Sequence, residues 1–153
     1  MQQEETLTTI LSDLVRINND RIDGYKEAIK ATENMDLKAL FQRMIDDSRL
    51  YAAQLNRELV DYGGFPVTVT SLSGELYRIW TNIKTAFTGY NRHAIFSSCE
   101  YGEDAIQRTY SEALSIDIAM PYSIRELIAS QRARLRDAHD TIKTYRDIVN
   151  VVY

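Results

Sequence analysis

A chain of 153 residues, 44% hydrophobic and 26% charged, has the size of one domain and is long enough to bury a real core. Its net charge of −4 and pI near 5.2 exclude nucleic acid or an anionic membrane as the main partner. Cys99 is the lone cysteine, which excludes an internal disulfide and a cysteine-based zinc site.

The polar, acidic start from Met1 to Thr6 does not read as a secretory signal. No apolar run approaches the roughly 20 residues that a spanning helix needs. A cytoplasmic protein with a single domain over 1–153 is expected. Arg132, Arg134 and Arg136 form the densest basic stretch, but they alternate along a helix and spread around it as a solvated face.

Six glycines and two prolines are few, and all but Gly24 and Gly102 fall between periodic segments, so the chain reads as helices throughout. The first helix is expected from about Glu5 to Ala31, with Leu7, Ile10, Leu11, Leu14, Ile17 and Tyr25 at three-and-four spacing. Asp36 is the expected N-cap of the second, which carries Leu37, Leu40, Phe41, Met44, Tyr51 and Leu55 inward until Gly63-Gly64 stops it. The short link from Ala31 to Asp36 makes these two an antiparallel hairpin.

Phe65 to Ser73 reads as an extended crossover: Val67-Thr68-Val69-Thr70 is β-branched but has no strand to pair with. A shorter helix is expected from about Gly74 to Phe87, with Leu76, Ile79, Trp80 and Ile83 on one side. Asn91 can cap a long helix running to about Ser115. Two start signals then overlap, Pro121 as a first helical residue and Ser123 with Glu126 as a capping box. The last helix runs to about Val149. Two long hairpins joined by a long connection predict an all-α, ferritin-like four-helix bundle, with a short extra helix in the crossover. Each long helix of about 25 residues measures roughly 38 Å.

Polar residues interrupt the apolar stripes. Asn18, Arg21, Ser48, Glu103 and Gln131 stand where a bundle ordinarily places leucine. Burying them costs several kcal/mol unless they are paired. Reflecting each hairpin about its turn sets Asn18 level with about Leu50, Arg21 with Asp47, Glu103 with Ala133, Glu100 with Arg136, and His139 with Ser97.

Three chemistries follow from this pattern. The favoured one is an internal ion-pair layer, in which Arg21, Arg49 or both supply the positive charge and Glu103 the carboxylate. Asn18, Ser48 and Gln131 satisfy what remains, and the layer fixes helix register more than it adds stability. The alternative is a carboxylate site for iron or manganese using Asp23, Glu100, Glu103 and His139. That pattern is incomplete, because no Glu-x-x-His occurs. Asp46-x-x-Arg49 and Arg136-x-x-His139 each set an arginine, which has no lone pair to give, at a ligand position. The third is catalysis without metal, with His139 as a general base. No nucleophile is placed beside it, since Cys99 on an apolar face reads as packing and His93 lies at a helix start. Ten tyrosines is a high share, and Tyr25, Tyr51, Tyr110 and Tyr145 fall on inward stripes where their hydroxyls can complete a polar layer.

Several segments occur in a telling order. Ile17-Asn18-Asn19-Asp20-Arg21 with Gly24-Tyr25 comes first, then Tyr77-Arg78-Ile79-Trp80, then Cys99-Glu100-Tyr101-Gly102-Glu103-Asp104, and last Ala138-His139-Asp140. Together they resemble a bacterial family of ferritin-like four-helix-bundle proteins without an established activity. The resemblance implies the fold and a small cytoplasmic protein, and it implies no chemistry. Many relatives carry His where this chain has Tyr77. The function expected is non-enzymatic: a structural or interaction protein, with a homo-oligomer or a protein as partner. The bundle ends, or the crossover helix with Trp80 and Phe87, would form its contact surfaces.

Overall fold

The computed structural model describes residues 2–70 and 92–152. The expected crossover helix with Tyr77, Trp80 and Phe87, and the expected cap at Asn91, lie outside the described residues. Four helices make up the rest: α1 (Gln2–Ala31), α2 (Met35–Asp61), α3 (Arg92–Ser115) and α4 (Tyr122–Val152). Among the described residues there is no strand. The fold is an all-α four-helix bundle.

Contacts across the helices give its topology. Asn18 meets Ser48 while Tyr25 stacks on Phe41, so α1 and α2 run antiparallel. Tyr110 meets Gln131 while Glu100 meets Arg146, so α3 and α4 do the same. The start of α3 lies beside the start of α2, where Arg92 pairs with Asp36 at 3.0 Å. Helices α2 and α3 therefore run parallel, and Asp61 and Arg92 lie at opposite ends of the bundle. A four-helix bundle needs one long crossover whenever its second and third helices point the same way.

The helix ends differ from expectation in two places. Helix α2 starts at Met35, with Asn34 at the cap position in an extended conformation and no side-chain cap bond. Asp36 therefore lies in the first turn and binds Arg92 across the bundle end instead of capping its own helix. At α4, Tyr122 follows directly on Pro121, whose carbonyl accepts the N–H of Arg125. Ser123 is thus inside the first turn, and Glu126 accepts the Tyr122 hydroxyl at 2.7 Å rather than closing a capping box.

Gly63 ends α2 with a φ of +86°, a conformation that costs L side chains energy. The N–H of Gly63 bonds the carbonyl of Val60, and that of Gly64 the carbonyl of Leu59, which is the Schellman closure. The extended chain that follows is pinned by side-chain amides. Asn56 both donates to the Val67 carbonyl (3.0 Å) and accepts from its N–H (2.8 Å), and Asn19 donates to the Val69 carbonyl at 3.0 Å.

The core falls into two apolar clusters. One contains Leu7, Leu11, Leu14, Leu55, Ile106 and Ile128, and the other Ile22, Ala28, Leu37, Phe41, Phe96 and Ile142. Asn18 and Arg21 lie on α1 between Ile17, the last residue of the first cluster on that helix, and Ile22, the first of the second. The polar layer thus divides the core into halves.

Candidate functional site

The layer is built from side chains of all four helices. Arg21 of α1 and Glu103 of α3 have side chains with 0% exposure and meet at 2.7 Å between Nη2 and Oε1. The Arg21 Nε donates to the same oxygen at 3.2 Å, and the Tyr25 hydroxyl donates to it at 2.8 Å. The rest of the guanidinium turns to α2: Nη1 donates to Ser48 Oγ (2.9 Å) and the Met44 carbonyl (3.2 Å), and Nη2 lies 3.1 Å from Met44 Sδ. Every face of the cation is occupied by an acceptor.

A relay of neutral groups extends the layer to α4. Ser48 donates to Asn18 Oδ1 at 3.0 Å, and Asn18 Nδ2 donates to the Leu14 carbonyl and to the Tyr110 hydroxyl, each at 2.8 Å. Tyr110 donates to Gln131 Oε1 at 2.7 Å, and Gln131 Nε2 donates to Gln54 at 3.0 Å and the Tyr51 carbonyl at 3.3 Å. Hydrogen bonds therefore run from Glu103 through Arg21, Ser48, Asn18 and Tyr110 to Gln131. Each donor satisfied in this way avoids a desolvation cost of about 1–3 kcal/mol.

Electrostatics at the layer follow from burial. Desolvation alone would pull the Arg21 guanidinium down, but the Glu103 carboxylate, with Tyr25 and Tyr51, more than reverses this and holds it above its usual value. Burial, reinforced by the Glu103 charge, pushes the Tyr25 hydroxyl well up, and burial does the same to Tyr110. Cys99, fully buried one turn before Glu103, is raised by desolvation and then by that carboxylate. Its thiol stays protonated and unreactive, as packing requires.

Arg49, expected as a possible core cation, is not in the layer. Its side chain is 54% exposed and pairs with Asp46 at 3.8 Å along the outer face of α2. One residue further along a helix turns the side chain by about 100°, so Ser48 pointing inward sends Arg49 outward.

The residues of the alternative metal set do not converge. Asp23 is exposed on α1, and Glu103 faces the interior with Arg21. Glu100 and His139 meet elsewhere, on the outer side of the α3–α4 seam, where Asp104 joins them. His139 Nε2 lies 2.7 Å from Asp104 Oδ1 and 3.7 Å from Glu100 Oε1, and His139 Nδ1 lies 3.3 Å from Asp140 Oδ1. The second Glu100 oxygen is bound by Arg146. His139 thus meets Asp104 across the seam and not Ser97.

Residues 6–115 match the family described as a domain of unknown function, DUF2383. The chain belongs to this family. No match was found among curated proteins. The DUF2383 match takes in α1, α2 and α3, and with them Asn18, Arg21, Ser48, Glu103 and Tyr110. Gln131 and His139 lie on α4, beyond the matched residues.

Three participants in this DUF2383 protein were not singled out from the sequence: Gln54, which accepts from Gln131, and Asp104 and Arg146 at the outer cluster. Asp104 is four residues after Glu100 and so shares its helix face, a signal available from spacing. Arg146 is seven residues after His139, two turns along the same face of α4. Of the four tyrosines expected on inward stripes, Tyr25, Tyr51 and Tyr110 are buried. Tyr145 is 36% exposed and stacks on Phe96 at 5.5 Å.

Proposed function

We propose that this chain is a non-enzymatic bundle of ferritin-like type, in which an ion-pair layer stands where relatives of that architecture hold metal, and that it works as a structural or protein-interaction module. The observation that carries this is the Arg21–Glu103 pair at zero exposure. Iron or manganese in such a bundle would need carboxylates and imidazoles from several helices. The interior donor set does not fit that need: Glu103 Oε1 accepts from Arg21 and Tyr25, arginine offers no lone pair, and Glu103 Oε2, buried without a hydrogen-bond partner, belongs to no cluster of three carboxylate or imidazole ligands among the described residues. A single continuous network across four helices suits a part that holds its shape. Large apolar side chains at the end of the bundle where α2 and α3 stop, Phe65 (86% exposed) and Tyr122 (76%), support contact with a protein partner or a second copy.

The test is Glu103→Gln, with unfolding followed in the presence of a chelator and of added iron or manganese. The expected result is one loss of stability, the same in both conditions. Iron or manganese bound by the wild type and lost in Glu103→Gln would overturn the proposal and favour the metal-binding oxidoreductase or storage alternative.

A further inference from the structure

We infer that Glu100, Asp104 and His139 form a binding site for a first-row divalent cation on the outer side of the α3–α4 seam, separate from the interior layer. One ligand atom from each converges so that all three lie within 4.8 Å of one another, the one such His/carboxylate group among the described residues. Glu100 and Asp104 are one turn apart on α3 and His139 faces them from α4, so both sides are carried on helices and not on loops. An imidazole nitrogen with two carboxylate oxygens is a donor set suited to zinc and its neighbours, and it leaves coordination positions for water.

The groups around the three ligands orient them. Asp140 Oδ1 lies 3.3 Å from His139 Nδ1, the carboxylate–histidine pairing that fixes a metal-binding ring. In the tautomer with the proton on Nδ1, Nε2 presents a lone pair toward Asp104 Oδ1 at 2.7 Å and Glu100 Oε1 at 3.7 Å; in the other tautomer Nε2 donates to Asp104 instead. Lone pairs that face one another at this range require a positive centre between them, either a proton or a metal ion. Arg146 holds the other Glu100 oxygen and is itself bound to Asp147 at 3.1 Å, so Glu100 keeps one oxygen aimed at the site. Side-chain exposures of 15% for Glu100 and 18% for His139 combine with 53% for Asp104 to give a half-sheltered site with an open side.

The experiment is titration of the chelator-treated full chain with Zn²⁺ and, for its visible spectrum, Co²⁺. One equivalent is expected to bind, with Co²⁺ bands characteristic of nitrogen and oxygen ligands. Asp104→Asn and His139→Gln should each weaken binding at least tenfold, and Asp140→Asn by about tenfold through loss of ring orientation. Asp61→Asn, a carboxylate at the end of α2, should change nothing. Asp104 is exposed, so its variant should fold even if the His139 variant does not, and circular dichroism checks both. Absence of Zn²⁺ and Co²⁺ binding in the folded wild type would mean that His139 and Asp104 share only a hydrogen bond and would overturn the inference, as would binding undiminished in Asp104→Asn. Retention of this zinc in Glu103→Gln separates the site from the interior layer, so either proposal can fail without the other.

Discussion

Arg21 and Glu103 come from different hairpins, yet the guanidinium of one places two of its N–H groups on a single oxygen of the other, at 2.7 and 3.2 Å. The contact ties α1 to α3 at the level where the two apolar clusters meet. Charges in such a place help only as a pair: removing one partner strands the other in a medium that cannot solvate it.

Glu103→Gln should therefore destabilise the protein by about 3–5 kcal/mol, read as a lower urea midpoint at constant m-value. Joint replacement, Arg21→Met with Glu103→Leu, should recover most of that loss, since exchanging a whole buried pair for apolar groups is often neutral. A double variant no more stable than Glu103→Gln alone would mean that Ser48, Asn18 and Tyr25 depend on the charges for their own placement.

Tyr110 links the two ends of the relay, accepting from Asn18 and donating to Gln131. Tyr110→Phe removes both bonds and leaves the ring in place, at an expected cost of about 1–3 kcal/mol. Gln131→Leu in the Tyr110→Phe background should cost less than in the wild type, because its partner is already gone. A double-mutant cycle measures this, and strict additivity would contradict a connected relay.

Alkali should loosen the bundle before it alters the surface. Burial raises the Cys99 thiol above its ordinary value of 9.0, and burial raises Tyr25 and Tyr110 above 10.0. In the folded state these groups keep protons that the unfolded chain releases. Their contribution is fully present below about pH 9 and declines as pH rises past it. Urea midpoints between about pH 8 and about pH 10.5 should fall, and Cys99→Ala should flatten the first part of that fall. Thiol reagents should modify Cys99 only on unfolding.

Gly63→Ala should cost about 1 kcal/mol through the positive φ alone, since nothing lies within 4 Å of the added Cβ. Gly64→Ala fails for another reason, because its Cβ would fall 2.6 Å from Leu59 Cδ1 and 3.1 Å from the Leu59 carbonyl. The carbonyl cannot move without opening the Schellman closure, so the second variant should be the more damaging. Thermal melting of the two side by side checks the order.

Periodicity and punctuation made the helices legible: the stripe from Leu7 to Tyr25 and the stop at Gly63-Gly64 both appear in the structure. The inward direction of Arg21 and Glu103 was also legible, because each shares a stripe with unambiguous core residues such as Leu14 and Ile106. Rotation and register were less so. Arg49 adjoins an inward Ser48, and nothing local says which of two neighbours faces the axis. Reflection about a turn placed His139 opposite Ser97, whereas its imidazole meets Asp104, two turns further along α3. The Asp36 cap misled for a related reason: its carboxylate finds Arg92, which is 56 residues away in the chain.

The paired charge also constrains how this sequence can drift. A change at position 21 or 103 alone passes through a chain with a stranded ion, whereas the joint change does not. Descendants of this protein should therefore carry either both charges or neither, with few intermediates surviving. The two positions should vary together although 82 residues separate them.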